Sequence, residues 1–180
     1  MKRKILEKIS IPEGVSCQYE NKLLKCSKGS LSLERKIIAP ITKIKIENSE
    51  IIFECNSGNK NNRKMIMTNI AHIKNIFKGL QEPFIYKLEV VNVHFPMTLK
   101  VEGAQLAVSN FLGEKKPRRA EILPDVEVEV KGHEITVSSP DREAAGQTAA
   151  NFEKATKLKG RDRRIFQDGV YITEKPGGKI

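Results

Sequence analysis

Apolar and polar residues alternate in four short stretches, each broken by a turn signal. Val15, Cys17 and Tyr19 alternate up to a turn near Asn21, and Leu24 and Cys26 follow it. Ile44 and Ile46 face Ile51 and Phe53 across Asn48-Ser49. Leu99 and Val101 precede Gly103, with Leu106 and Val108 beyond it, and Val128 and Val130 face Ile135 and Val137 across Lys131-Gly132. Period-two alternation about a turn predicts β-hairpins. Two other stretches have helical spacing. Ile66, Ile70, Ile73 and Phe77 make one amphipathic stripe. Ala145, Ala149, Phe152 and Ala155 make another, with Asp141 as its expected N-cap and Gly146 beside it. A final strand is expected after each helix, through Tyr86-Lys87-Leu88 and through Val170-Tyr171-Ile172.

These elements recur in the same order at an offset of 84 residues, pairing Pro12 with Pro96, Ile46 with Val130 and Phe53 with Val137. The expected fold class is therefore α+β: a tandem repeat of two small domains, each an antiparallel sheet with one helix packed on one face. The expected boundaries are 1–83 for the first repeat and 84–175 for the second, with a linker near Gln81-Glu82-Pro83. Residues 176–180 are expected to be a flexible Gly-rich tail.

Chemistry for catalysis is sparse. Cys17, Cys26 and Cys55 form no C-x-x-C, and His72, His94 and His133 are scattered. The pattern argues against a zinc site or a disulfide framework and for a reducing cytoplasm. Cys17 and Cys26 fall near each other in one hairpin, and the plain reading of all three is as small buried hydrophobes. His133-Glu134 lacks the second His of a zinc-protease motif. Asp168 and Glu174 could pair as acid and base, but Asp168-Gly169 reads as tight-turn chemistry. There is no phosphate-cradling G-x-x-x-x-G-K-[ST]. No enzyme activity and no cofactor or metal are expected. No segment is apolar enough to span a bilayer, and the N-terminus does not read as a signal peptide.

Charge changes the picture. The 32 Lys and Arg against 22 Asp and Glu give a net charge of +10, which favours polyanionic partners. In the second half the charges are segregated. Acids collect in EILPDVEVEVKGHE, bases in GEKKPRR (113–119) and in KATKLKGRDRR (154–164). Cations at a helix C-terminus also suit its dipole. Two runs in one small domain, with Arg at the end of each, point instead to phosphate, because a planar guanidinium forks onto phosphate oxygens. Tyr171 is a candidate for stacking on an unpaired base, whereas Phe166 is expected in the core.

Several of these stretches together resemble the ribosomal protein L-six family of the large subunit, in its archaeal and eukaryotic form. They are RDRRIFQDGVYITEK (161–175), HFPMTLKVEG (94–103), NFLGEKKPRR (110–119), VEVKGHEITV (128–137) and GQTAANFE (146–153). The first repeat resembles the family mainly in layout, and Lys154 stands where the family usually has Gln. The resemblance implies a structural constituent of the large subunit. It implies binding to large-subunit rRNA, mainly through the second repeat, near the sarcin–ricin loop and the base of the factor-binding stalk. Neighbouring ribosomal proteins and translation factors would lie close by. The RNA-facing residues carried over are Lys115, Lys116, Arg118, Arg119, Lys157, Lys159, Arg161, Arg163, Arg164, Lys175 and Lys179, with Tyr171 added as the stacking candidate. The alternative is a transient RNA-processing or ribosome-assembly factor. An anionic-membrane binder is a poorer fit, since the first helix needs its apolar stripe for its own sheet.

Overall fold

A computed structural model describes residues 3–47 and 49–179; Asn48, one of the two residues expected in the second hairpin turn, lies outside them. The chain divides into two compact units, Met1–Glu82 and Pro83–Ile180. The first contains β1 (Arg3–Ser10), β2 (Ser16–Glu20), β3 (Leu23–Lys28), β4 (Leu31–Lys36), β5 (Lys43–Glu47), β6 (Glu50–Gly58) and α1 (Lys60–Gly79). The second contains β7 (Phe84–Val91), β8 (Thr98–Glu102), β9 (Gln105–Ser109), β10 (Arg118–Glu121), β11 (Glu127–Lys131) and β12 (Glu134–Ser139). It continues with α2 (Arg142–Ala155), β13 (Gly169–Lys175) and β14 (Gly178–Lys179). The class is α+β, with antiparallel pairing in every sheet.

All four hairpins pair the residues that the alternation marks. Cys17 faces Cys26 and Tyr19 faces Leu24; Ile44 faces Phe53 and Ile46 faces Ile51. In the second unit Leu99 faces Val108, Val101 faces Leu106, Val128 faces Val137 and Val130 faces Ile135. Each unit holds two sheets rather than the single sheet expected. A third strand extends each first hairpin, giving orders β2-β3-β4 and β10-β9-β8. The other sheets run β1-β6-β5 in the first unit and β11-β12-β7-β13-β14 in the second. The additional strands β1, β4 and β10 are rich in charge and bury few of their residues, so their alternation is faint in the sequence.

The strand through Tyr86 and Leu88 differs most from expectation. It is expected as the closing strand after the first helix, although the expected boundary after residue 83 already places it in the second repeat. In the structure β7 is instead the middle strand of the second unit's larger sheet, between β12 and β13. Its apolar face explains this: Tyr86, Leu88 and Val90 are all buried in the second unit's core. The first unit fills the equivalent place with β1.

Both helices form as their patterns predict. Asn59 caps α1 by accepting from the Asn62 N–H at 2.9 Å, and Asp141 caps α2 by accepting from the Glu143 N–H at 2.9 Å. Ile66, Ile70, Ile73 and Phe77 are buried against Phe53, Ile51 and Leu24. In α2, Phe152 is fully buried on the same face as the small residues Ala145 and Ala149, and the helix touches β10 of one sheet and β7, β12 and β13 of the other. That closeness needs Gly146. A Cβ at this position would lie 2.9 Å from the Tyr86 hydroxyl oxygen, inside van der Waals contact.

The end of the chain departs from the expected free tail. After a turn at Pro176-Gly177, Gly178 pairs with Lys175 and Lys179 with Glu174 as β14.

Gly146→Ala is expected to destabilise the protein by about 1 kcal/mol, because overpacking outweighs the ~1 kcal/mol by which Ala is preferred over Gly in a helix. In a Tyr86→Phe background, which removes the crowding oxygen, the same change is expected to be neutral or stabilising. Urea unfolding of the four proteins tests this; equal effects of Gly146→Ala in both backgrounds would exclude the contact.

Candidate nucleic-acid interface

Three loops of the second unit carry the chemistry: residues 92–97 before β8, residues 110–117 before β10, and residues 156–168 between α2 and β13. Buried polar groups hold them together. Asp168 is only 1% exposed. One of its oxygens accepts from the Val93 N–H at 2.8 Å and the His94 N–H at 2.9 Å; the other accepts from His94 Nδ1 at 2.6 Å. Burial alone would raise this carboxyl's pKa. The hydrogen bonds from the His94 N–H, the imidazole and the Val93 N–H more than offset it, so the net shift is downward and the group stays a carboxylate. At the other end of the loop, Thr156 is buried, and its Oγ1 accepts from the Val170 N–H at 2.9 Å. The loop is therefore pinned at its two ends by side chains that its sequence supplies.

Between the pins lie Lys157, Lys159, Arg161, Arg163 and Arg164, all exposed. Asp162, the single acid among them, accepts from the Arg164 N–H at 2.9 Å through Oδ1, and its carbonyl accepts from Ile165 and Phe166. Its role is to turn the chain. Phe166 does not enter the core as expected. Its ring stacks on His94 at 4.9 Å between centroids and lies under the Arg161 guanidinium at 4.7 Å. Arg161 is thus held over an aromatic face, which favours a cation by about 0.5–1 kcal/mol at an exposed site.

The two basic runs, far apart in sequence, meet through Arg118. Its guanidinium donates to Glu114 at 2.6 and 2.8 Å, to the Ala155 carbonyl at 2.9 Å and to the Lys157 carbonyl at 3.4 Å, and lies 4.2 Å over the Phe111 ring. The sequence places Arg118 among the RNA-facing cations. Its donors are instead used within the fold, where it braces the C-terminal end of α2 against the loop before β10. The hydrogen bond from Arg118 holds the Glu114 carboxyl below its ordinary range, and the charges of Arg118 and Arg161 add to that.

The remaining candidates separate into two places. Lys115, Lys116 and Arg119 are exposed on the loop and strand that Arg118 braces. Tyr171, 39% exposed, lines a cleft of about 420 Å³ with Lys154, Lys157 and Arg163. Gly169, two residues earlier on the same face of β13, makes room for the ring; a Cβ there would lie 3.2 Å from it. Lys175 and Lys179 are not brought to this cluster. Lys175 ends β13, and a seven-residue strand at about 3.4 Å per residue puts it about 20 Å from Gly169.

The fate of the cations differs across the molecule. On the sheets some lysines are paired with acids, Lys8 with Glu50, Lys25 with Glu34, Lys87 with Glu174 and Lys131 with Glu129, whereas Lys28, Lys36, Lys43 and Lys100 form no ion pair with any described residue. Among the described residues, the side chains of Lys115, Lys116, Arg119, Lys157, Lys159, Arg163 and Arg164 form no ion pair. The acid-rich β11 is the edge strand of the larger sheet on the side opposite β13 and β14. The clasp between His94 and Asp168 is not evident from sequence. Both residues stand within family-like motifs, but the link between them spans 74 residues. No cluster of three or more metal-ligating side chains occurs among the described residues, and no helix there is long and apolar enough to cross a membrane.

Asp168→Asn is expected to cost about 2 kcal/mol at pH 7, the range for hydrogen bonds to a charged acceptor. Because the folded carboxyl has a depressed pKa, its contribution is present above the unfolded value near 4 and fades as pH falls through the lower folded value. The gap between the two proteins should therefore close below about pH 4 in urea unfolding; a gap independent of pH would mean that the carboxylate charge plays no part.

Comparison with known proteins relates the chain to a family. Residues 95–169 match the family described as ribosomal protein L6. The large ribosomal subunit protein uL6 of Methanococcus vannielii is 44% identical over 173 residues, covering 96% of this chain and 95% of that protein. Its counterparts in Methanosarcina mazei and Methanothrix thermoacetophila are 43% and 42% identical over 175 residues, each covering 97% of this chain and 99% of the relative. With such identity along nearly its whole length, the chain belongs to the ribosomal protein L6 family of the large ribosomal subunit, a structural and non-enzymatic constituent.

Proposed function

We propose that the second unit is the main rRNA-binding domain and that it grips large-subunit rRNA with the loops at 110–117 and 156–168. The observation that carries this reading is the concentration of cations without an ion pair on and beside two loops of the second unit, the longer of which is pinned at both ends by buried polar groups. Lys115, Lys116, Arg119, Lys157, Lys159, Arg163 and Arg164 contact phosphate. Arg118 and Arg161 act at one remove, holding the surface in shape. Tyr171, which lines a cleft with Lys154, Lys157 and Arg163, packs on a base or ribose. Lys175 and Lys179 reach a separate stretch of backbone. Base edges of a folded RNA helix lie in a deep groove, so recognition is of phosphate spacing and 2′-hydroxyls.

The family likeness supports a location beside the sarcin–ricin loop and the base of the factor-binding stalk of the cytoplasmic ribosome. Neighbouring ribosomal proteins and passing translation factors are then its other partners. The rigid loop suits that setting: a preformed cation array loses less entropy on binding than a mobile one.

Replacing Lys159, Arg163 and Arg164 together by Ala should weaken binding to an rRNA fragment that carries the sarcin–ricin helix. It should also flatten the dependence of log K on log salt by about one unit for each phosphate no longer neutralised. Lys87→Ala, whose ammonium is already paired with Glu174, should change neither. An unchanged slope in the triple variant would remove this loop from the interface.

A further inference from the structure

In the first unit, β2 and β3 are joined by Asn21-Lys22, both with positive φ, as a two-residue hairpin turn requires. Glu20 and Leu23, which flank the turn, form the closing hydrogen-bonded pair. Alternation along the ladder then makes Tyr19 with Leu24, and Cys17 with Cys26, non-hydrogen-bonded pairs. In such pairs the Cα atoms approach to about 4.5 Å and the side chains are closest. That separation falls within the ~4.4–6.8 Å range of disulfide-bridged residues. The two Sγ atoms are already 2.8 Å apart. Cys17 is half-buried and Cys26 fully buried, while Cys55 lies in the core on β6 and takes no part in this contact.

We propose that Cys17 and Cys26 form a reversible redox site, a cross-strand dithiol that a small-molecule disulfide converts to an intramolecular disulfide without disturbing the fold. The half-buried Cys17 is the attacking group. The hydrogen bond between the two sulfurs lowers the pKa of Cys17 and raises that of Cys26, so Cys17 is the first to become thiolate. Its sulfur attacks one sulfur of R–S–S–R; that S–S bond breaks and one R–S⁻ leaves, taking up a proton. Cys26 then gives up its proton and attacks Cys17 Sγ, expelling the second R–S⁻, which is protonated in turn. The protein loses two electrons and two protons, and the external disulfide becomes two thiols. The second step needs no solvent access to Cys26, because its target sulfur is already in contact. The product ties the two strands of the hairpin that delivers Leu24 and Cys26 to the first unit's core.

The test is to incubate the full chain, folded, with excess glutathione disulfide, quench with acid and map the thiols by mass spectrometry. The expected result is a mass lower by two hydrogens, a peptide linked through Cys17 and Cys26, and Cys55 still free. Dithiothreitol should reverse it. In Cys26→Ala, Cys17 should instead hold one glutathione as a mixed disulfide. The oxidised wild type should also melt about 5 °C or more above the reduced form, as closure of a short loop predicts. A stable glutathione adduct on wild-type Cys17, two untouched thiols, or a lower melting point after linkage would each overturn the proposal.

Discussion

A buried carboxylate has to be satisfied, and in this protein that requirement shapes the basic surface. Asp168 lies at the junction of a long loop and the strand that re-enters the core, 1% exposed. Its charge is tolerable there only because two backbone N–H groups and an imidazole converge on it. Satisfying it draws the loop before β8 against the loop before β13. His94 then stacks on Phe166, and Phe166 supports Arg161. Geometry passes from a core acid through an imidazole and a phenyl ring to a surface cation, and no link in that chain depends on RNA being present.

Arg118 completes the arrangement from the other side. A cation that looks like one more phosphate ligand in the sequence is committed to two backbone carbonyls, a carboxylate and an aromatic face. That commitment fixes the spacing between the two runs that stay free. The rest of the surface follows from mutual repulsion as much as from attraction. Unpaired like charges this close raise the energy of the free protein, and a polyanion relieves that. Placing the acidic β11 at the far edge of the sheet keeps its field from cancelling the effect.

What the sequence made legible follows its periodicities. Four hairpins and two helices are readable because one face of each is buried, so that Ile44, Ile46 and Ile73 recur at fixed spacing. Strands β4 and β10 are not, since residues such as Glu34, Lys36 and Arg119 face solvent and interrupt any apolar rhythm. The place of β7 is legible only in part: the linker at Gln81-Glu82-Pro83 puts Tyr86 and Leu88 in the second repeat, but a strand that follows a helix gives no sign that it pairs between β12 and β13. At the candidate interface, charge is visible in one dimension but occupancy is not. Nothing in GEKKPRR distinguishes Arg118, which is spent, from Arg119, which is exposed. The position of Phe166 escapes the sequence for a related reason: alternation predicts which side a residue takes, not whether a cation and an imidazole will enclose it there.

The placement of β7 has a consequence for the order in which the chain can organise itself. All the strands and the helix of the first unit lie before Glu82, so they are synthesised before any element of the second unit. The second unit begins with its own central strand. β7 is synthesised first yet must wait for β12, which starts only at Glu134, and then for β13, which starts only at Gly169. During that delay Tyr86, Leu88 and Val90 form an unmatched ribbon. The polar residues between them, Lys87 and Glu89, are all that the nascent segment has to discourage misassociation before its neighbours arrive.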